Sequence, residues 1–146
     1  MASGKVEHIH LAGAHGAPVE AVERAQAEAG LGLRGDRHFG DADAEELTLV
    51  EAEAVERLAV EDALELAPGG PRRNVTTRGV DLGVLVGRRF RLGEAVCEGL
   101  ERCEPCLHLA KLTDRRVLHG LVHTGLSAAI VESGTIRVGD PVEALP

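Results

Sequence analysis

The chain has 146 residues, a formal net charge of −8 at pH 7, no tryptophan or tyrosine, and two phenylalanines. This length suits one domain with a full hydrophobic core, so residues 1–146 are predicted to form a single domain. The negative charge and the scarcity of aromatic side chains argue against nucleic acid and anionic membranes as partners, and no apolar run is long enough to span a bilayer.

The cysteines and the N-terminus both bear on the cellular compartment. Three cysteines are an odd number, which does not suit a disulfide framework. The first residues lack the charged and then apolar order of a signal peptide. We therefore expect a cytoplasmic protein. The single Asn, Gln and Met fit a thermophile, although a GC-rich genome produces a similar bias.

The first half of the chain mixes predicted strands and helices. Short apolar runs predict strands at residues 6–11 and 47–50. Residues 19–29 are rich in Ala and Glu and predict a helix, and apolar spacing predicts an amphipathic helix over residues 51–59. Between them, residues 30–38 hold three glycines, one aspartate and two arginines, a composition typical of a polar turn.

The second half is dominated by short strands separated by glycine turns. Beyond residues 82–85, Phe90 and Leu92 alternate with arginines, as in a strand with one buried face. The other strands are predicted at residues 73–77, 95–100, 118–122, 128–131, 135–138 and 142–144, and a helix at residues 105–112. This pattern predicts a mainly β protein, a small closed or nearly closed β-barrel of about six to nine strands with a few short helices.

Cys106 has the clearest local signature of reactivity. Pro105 biases Glu104 away from helical backbone angles, so the predicted helix begins at or after the proline. Cys106 then lies in a first helical turn, where unpaired N–H groups favour an anion and raise the thiolate fraction of a cysteine. We therefore predict Cys106 as the reactive or metal-binding residue. Cys97 is predicted to be inert, and Cys103 lies near enough to Cys106 to form a disulfide with it.

Several pieces of sequence occur in an order that points to one family. They are residues 32–38 (GLRGDRH), 47–51 (LTLVE), 72–75 (RRNV), 79–82 (GVDL), 85–93 (LVGRRFRLG), 103–106 (CEPC) and 134–142 (GTIRVGDPV). In this order they resemble the MOSC domain, the C-terminal domain of molybdenum-cofactor sulfurases, and especially its small stand-alone bacterial members. The resemblance covers most of the chain from Gly30 onward and implies a β-barrel.

The resemblance also implies a cofactor and a chemistry. MOSC domains handle the molybdenum cofactor, a pterin dithiolene that bears a phosphate. The cysteine of the family that matches Cys106 carries a sulfane sulfur or ligates molybdenum, and some relatives reduce N-hydroxylated compounds. Sulfurtransferase and reductase therefore both remain open for this chain. It is too short to hold a pyridoxal-phosphate sulfurtransferase domain, so the expected partners are a separate cysteine desulfurase or a molybdoenzyme.

A molybdenum pterin needs a soft metal ligand, cations for its phosphate, and polar groups for its pterin edge. Cys106 is the candidate for the metal. Arg72, Arg73 and Arg37 are candidates for the phosphate, and Asn74 is the candidate for the pterin edge.

Asp36 and His38 complete the predicted cofactor-binding set. Asp36 is expected to act mainly by capping, through its side chain, the turn of residues 30–38, called here the glycine turn. His38 is either a phosphate donor or a surface residue. Relatives often carry a basic residue where residues 123–127 read HTGLS in this chain. One expected cofactor contact is therefore missing from that turn.

Three other interpretations remain open. A structural zinc site can draw on Cys97, Cys103, Cys106 and His108, although four ligands in so short a segment are unusual. Cys103 and Cys106 also have the spacing of a dithiol redox site, and the chain can be a binding module that only shields the cofactor. Five further histidines have no spacing that compels a metal and are expected to be surface or packed residues: His8, His10, His15, His119 and His123.

Overall fold

The computed structural model of the protein describes residues 3–14, 17–41, 45–61, 63–64, 66, 71–102 and 125–146. The strands are β1 (Ser3–Leu11), β2 (Glu20–Val22), β3 (Arg24–Glu28), β4 (Gly32–Leu33), β5 (Leu47–Glu51), β6 (Val75–Arg78), β7 (Arg89–Leu92), β8 (Ala95–Arg102), β9 (Gly125–Glu132), β10 (Gly134–Arg137) and β11 (Pro141–Ala144). The helices in these ranges are α1 (Ala52–Glu61) and a short 3-10 helix at Leu82–Leu85.

Seven of these strands close into a barrel. Hydrogen-bonded neighbours follow the order β11, β7, β8, β9, β5, β6, β1, and β1 pairs with β11 to complete the ring. Neighbours in the ring are antiparallel except for β5 and β6, which are parallel. Closure removes the free sheet edges that would otherwise invite aggregation. The prediction of a mainly β barrel is confirmed.

Side-chain alternation fills the barrel. On β7, Phe90 and Leu92 are fully buried, whereas Arg89 and Arg91 are exposed. Successive residues of a strand point to opposite faces, so the apolar pair faces the core and the arginines face solvent. The alternation expected around Phe90 is therefore confirmed.

Helix α1 accounts for the one parallel pair in the ring. The chain leaves β5, forms α1, and then enters β6 alongside β5, so the helix belongs to the crossover that parallel neighbours require. The helix predicted over residues 51–59 is confirmed. Its buried residues are Ala52, Ala54 and Leu58. None of the helices in the described ranges is long and apolar enough to cross a membrane.

The helix predicted over residues 19–29 is wrong. This stretch forms β2 and β3, and β3 joins β10 and β4 in a separate three-stranded sheet. Ala25 and Ala27 are buried while the side chains on either side of them are exposed or half-buried, which is the period of two of a strand. Pairing with β10 and burial of the alanines outweigh the helical propensity of Ala and Glu.

The remaining strand predictions agree with the structure wherever it is described. The strands predicted at residues 6–11, 47–50, 95–100, 128–131 and 142–144 fall within β1, β5, β8, β9 and β11. Those predicted at residues 73–77 and 135–138 overlap β6 and β10 with shifted ends. The helix predicted at residues 105–112 and the strand predicted at residues 118–122 lie outside the described residues.

Strands β1, β5 and β6 place three chain segments at one edge of the barrel. Val75, which begins β6, pairs with Leu49 of β5 and with Ile9 of β1. Because β5 and β6 run in the same direction and β1 runs in the opposite one, the segment that leaves β1 meets the segments that enter β5 and β6. The candidate site lies at this edge.

Candidate functional site

A cleft of about 370 Å³ opens where β1 ends and β5 and β6 begin. The structure brings to the lining of this cleft the six residues, other than the metal ligand Cys106, that the sequence predicted to bind a cofactor. They are Asp36, Arg37, His38, Arg72, Arg73 and Asn74. Three further polar residues line it: His10, Glu45 and Thr48.

Asp36 fastens the glycine turn to the end of β1. Its Oδ1 accepts a hydrogen bond from the backbone N–H of Ala12 at 3.0 Å, and its Oδ2 accepts one from the backbone N–H of His38 at 3.3 Å. The N–H of Arg37 donates to the carbonyl oxygen of Ala12 at 2.7 Å. Gly35, with a φ of +86°, provides the left-handed backbone that this turn requires. Asp36 therefore has the turn-capping contact expected of it.

Arg37 and His38 point their side chains toward each other in the cleft. The Nε–H of Arg37 donates to Nε2 of His38 at 3.1 Å, so in the neutral imidazole the proton is on Nδ1. That Nδ1 lies 3.9 Å from Oδ2 of Asp36. The other end of the guanidinium differs, because Nη1 of Arg37 is buried and has no hydrogen-bond partner among the described residues. A buried, unpartnered N–H group is costly unless a ligand accepts from it.

Arg72 adds a second guanidinium to the cleft. Its backbone has a φ of +58°, a left-handed conformation that is uncommon for a residue other than glycine. Its Nη2 donates to the carbonyl oxygen of Ala17 at 2.6 Å. Burial, and then the positive charge of Arg37, lower the pKa of Arg72. Two guanidinium groups in one partly buried cleft repel each other, and an anion between them would relieve that repulsion.

Asn74 is a buried clamp across β1, β5 and β6. Its Oδ1 accepts from the backbone N–H of Thr48 at 3.1 Å and from the Thr48 hydroxyl at 3.2 Å. Its own backbone N–H donates to Oγ1 of Thr48 at 3.0 Å. Its Nδ2 donates to the carbonyl oxygen of His10 at 3.3 Å, and the N–H of His10 donates to the Asn74 carbonyl at 2.7 Å. At most one amide hydrogen of Asn74 remains for a ligand.

His10 is a cleft residue that the sequence did not single out. It was expected to be a packed or surface histidine, and its side chain is indeed buried, with a residue exposure of 5%. However, its Nδ1 is buried with no hydrogen-bond partner among the described residues, and the residue lines the cleft. Burial, and then the nearby His8, lower the pKa of His10. The imidazole is therefore neutral near pH 7 in the ligand-free protein.

Among the cysteines, only Cys97 falls within the described part of the chain. It is fully buried in the barrel core, where burial and then the charge of Glu46 raise the pKa of its thiol to about 12. This is the setting of an inert, packed cysteine, and it removes Cys97 from an accessible zinc site. Cys103, Cys106 and His108 lie outside the described residues. Within the described ranges, no three metal-ligating side chains cluster together.

The fold and the cleft define a small closed β-barrel domain with a cationic cleft at one edge. The sequence matches the MOSC domain over residues 34–143, which is most of the chain, and the protein belongs to the MOSC domain family. MOSC domains are generally linked to molybdenum-cofactor binding or to sulfur transfer.

Solved structures share this fold. The YuaD protein from Bacillus subtilis is similar with a TM-score of 0.84 and 17% identity, over 97% of this chain and 95% of that one. YiiM from Escherichia coli is similar with a TM-score of 0.71 and 22% identity, over 97% and 70%. YiiM from Geobacillus stearothermophilus gives a TM-score of 0.75 and 14% identity, over 98% and 75%. At these identities the likeness concerns the fold alone. The comparison with curated proteins gave no match.

Proposed function

We propose that this protein binds the molybdenum cofactor in the cleft and acts on it, or on a sulfur atom destined for it, through Cys106. The observation that carries the proposal is the pair of arginines in the cleft. Arg37 lies close enough to Arg72 for its charge to lower the pKa of Arg72, and Nη1 of Arg37 is buried with no partner among the described residues. Such a site is built for an anion, and the molybdenum cofactor bears one as its phosphate.

The residues of the cleft fit the phosphate end of the cofactor. A guanidinium presents several N–H donors in a plane and is suited to binding two phosphate oxygens at once. Arg37 and Arg72 would hold the phosphate, and Arg73 lines the same cleft. Asp36 and the backbone of the glycine turn hold Arg37 in place, because the turn is tied to Ala12 by two hydrogen bonds.

The residues beside the arginines offer fewer hydrogen-bonding groups to a pterin edge than the arginines offer to a phosphate. Most of the hydrogen-bonding capacity of Asn74 is used by Thr48 and His10. One amide hydrogen of Asn74 would be its contribution to a pterin, and its main contribution is to fix the wall of the cleft. His38 would lie beside the phosphate rather than the pterin, because its ring is hydrogen-bonded to the Arg37 that would hold the phosphate.

The length of the chain after β8 allows Cys106 to belong to the same site, although β8 runs in the same direction as β5, toward the edge at which β5 ends. β8 ends at Arg102, which pairs with Leu126 of β9, and Leu126 pairs with Leu49 of β5. Arg102 is thus two strand spacings, roughly 10 Å, from the strand that carries Thr48. Cys106 follows Arg102 by four residues, a length of chain that spans at most about 14 Å. A chain of that length is long enough to reach the cleft, so the distance from β8 is compatible with the proposal.

When bound, the cofactor supplies a molybdenum centre for which a thiolate such as Cys106 is a suitable soft ligand. In the sulfur-transfer branch, the Cys106 thiolate attacks the outer sulfur of a persulfide on a separate cysteine desulfurase. The sulfur–sulfur bond of that persulfide breaks, a new one forms on Cys106, and the desulfurase cysteine leaves as a thiolate. In the reductase branch, an N-hydroxylated compound consumes two electrons and two protons and releases water, so a separate electron donor is required.

Metal and pterin analysis tests the binding proposal. Protein purified from a host that makes the molybdenum cofactor should contain molybdenum and pterin together. Each arginine supplies charge-assisted hydrogen bonds, so the double variant Arg37→Ala, Arg72→Ala should retain about tenfold less of both, or less still. Arg91→Ala is the matched control, because Arg91 is exposed on β7 and is not part of the cleft.

Two results would contradict the binding proposal. One is equal molybdenum content in the wild-type protein and the double variant. The other is stoichiometric zinc without molybdenum, released only on unfolding, which would favour the zinc interpretation of Cys103, Cys106 and His108.

Thiol chemistry tests the role of Cys106 separately. In the native protein, Cys106 should be alkylated by iodoacetamide faster than Cys97. Cys106→Ser should abolish persulfide loading by a desulfurase or molybdenum-dependent reduction of an N-hydroxylated compound. Cys97→Ala is the control and should leave both intact. A Cys106→Ser protein that still accepts sulfur and still reduces such a compound would refute the role of this residue.

A further inference from the structure

We propose that His10 is a ligand-contacting residue of the cleft, and that its buried Nδ1 hydrogen-bonds an oxygen of the anionic ligand held by Arg37 and Arg72. This inference rests on the anion site of the proposed function and adds to it a residue that titrates. It follows from two buried polar atoms without partners among the described residues, Nη1 of Arg37 and Nδ1 of His10, whose side chains line the same cleft.

The backbone fixes the position of His10. Its N–H donates to the carbonyl oxygen of Asn74 at 2.7 Å, and its carbonyl oxygen accepts from Nδ2 of Asn74 at 3.3 Å. Both backbone groups of His10 are engaged, and the residue is only 5% exposed where it lines the cleft. A buried ring nitrogen that lacks a partner in a preorganised wall costs stability unless a ligand hydrogen-bonds to it.

His8 is the charged group that perturbs His10 in the ligand-free protein, and the cleft that His10 lines holds more basic than acidic side chains. The residue that pairs with His10 on β2 is the uncharged Ala21. On β1, the centroids of the His8 and His10 rings are 6.0 Å apart. From the other segments, the titratable groups of the cleft are Asp36, Glu45, Arg37, His38, Arg72 and Arg73. Asp36 is already engaged by the N–H groups of Ala12 and His38.

This environment predicts how His10 responds to an anion. In the ligand-free protein, burial and then His8 lower the pKa of His10. An anion beside the ring stabilises the imidazolium more than the neutral imidazole, so it raises the pKa of His10. Binding is therefore coupled to proton uptake, and the anion binds more tightly as the pH falls through the interval between the free and the bound pKa of His10.

Sulfate is the probe of choice, because it remains a dianion across the whole pH range in which histidine titrates. The pKa of each imidazole can be followed by long-range proton–nitrogen NMR spectra of the wild-type protein, with sulfate or with chloride at equal ionic strength. The signal of His10 is assigned from its loss in His10→Phe. We expect sulfate to raise the pKa of His10 by about one unit or more, and the Arg37→Met variant to remove this shift.

Substitutions provide a second readout through sulfate affinity. His10→Phe keeps an aromatic ring but removes the hydrogen bond, and should weaken sulfate binding near pH 6 by about tenfold. His10→Asn places an amide near the position of Nδ1 and should recover most of the affinity while losing the pH dependence. Arg91→Ala is the control, because Arg91 is exposed on β7 and is not part of the cleft, and should bind sulfate as the wild-type protein does.

The NMR outcomes separate this inference from the proposed function. If sulfate shifts the guanidinium signals of Arg37 and Arg72 but leaves the pKa of His10 unchanged, the anion site stands and the role of His10 is refuted. If sulfate shifts neither the arginine signals nor that of His10, the anion site itself is refuted. Both results come from the wild-type protein, and only the assignment of the His10 signal uses a variant.

Discussion

Replacing Asn74 by alanine should destabilise the barrel more than any other single change at the cleft. The substitution leaves the buried backbone N–H of Thr48 without an acceptor. It also removes two further hydrogen bonds, one that the Thr48 hydroxyl donates to Asn74 and one that the Asn74 amide donates to the carbonyl oxygen of His10. An orphaned buried donor costs about 1–3 kcal/mol, and each further hydrogen bond contributes about 1 kcal/mol. The expected loss in the free energy of unfolding is therefore at least about 3 kcal/mol.

Urea unfolding monitored by circular dichroism measures this loss, and thermal unfolding provides a check. For a chain of this size, a loss of about 3 kcal/mol corresponds to a decrease in Tm of roughly 6–12 °C. Thr77→Val is the matched control. Thr77 is fully buried, and its hydroxyl has no hydrogen-bond partner among the described residues, so the valine should be as stable as the wild-type protein or more stable. A loss below about 1 kcal/mol for Asn74→Ala would refute the clamp.

Three further predictions concern side chains whose surroundings the structure defines. Cys97, whose pKa burial raises to about 12, should remain unmodified by iodoacetamide at pH 8 until the protein unfolds; earlier modification would contradict its burial. Burial raises the pKa of Glu51 above 4.5, so the folded state binds the carboxyl proton more tightly than the unfolded state does. The free energy of unfolding therefore falls as the pH rises from the unfolded-state pKa to the folded-state pKa. Glu51→Gln should therefore be more stable than the wild-type protein at pH 7 in urea unfolding, and this advantage should shrink at acidic pH; a constant difference would argue against the linkage. Arg37→Met should raise the Tm of the ligand-free protein, because it removes the repulsion with Arg72 and a buried unpartnered N–H, while weakening sulfate binding; a lower Tm would exclude that repulsion as a source of instability.

The sequence was sufficient to predict the β-barrel because its strands carry their own signals. Phe90 and Leu92 alternate with arginines, and this alternation is what the closed barrel buries. The prediction failed at residues 19–29, where local composition favours a helix. There the deciding interaction is the pairing of β3 with β10, a partner more than a hundred residues away along the chain.

The candidate site was predictable only in part. The order of motifs brought out the residues Arg37, Arg72 and Asn74 without indicating which of them would be engaged by the protein itself. His10 could not be found from alternation. Counting by twos from the buried Val6 places His10 on the core face of β1, but the pairing with β6 shifts register between Val6 and His8. This bulge turns Ile9 into the core and His10 toward the cleft.

Two kinds of polar residue line the cleft: those whose hydrogen bonds are made within the protein, and those that keep a nitrogen without a partner in the described part of the chain. Asp36 and Asn74 have their oxygens engaged by neighbouring backbone and side-chain donors, and they tie the walls of the cleft together. Arg37 and His10 each keep a buried nitrogen with no partner among the described residues, and Arg72 has left-handed backbone beside a like charge. Departures from ordinary folding rules persist where surrounding structure enforces them, and they concentrate at functional sites. Because the satisfied residues hold the unsatisfied ones in place, the cleft would need little rearrangement to bind the anion that we propose.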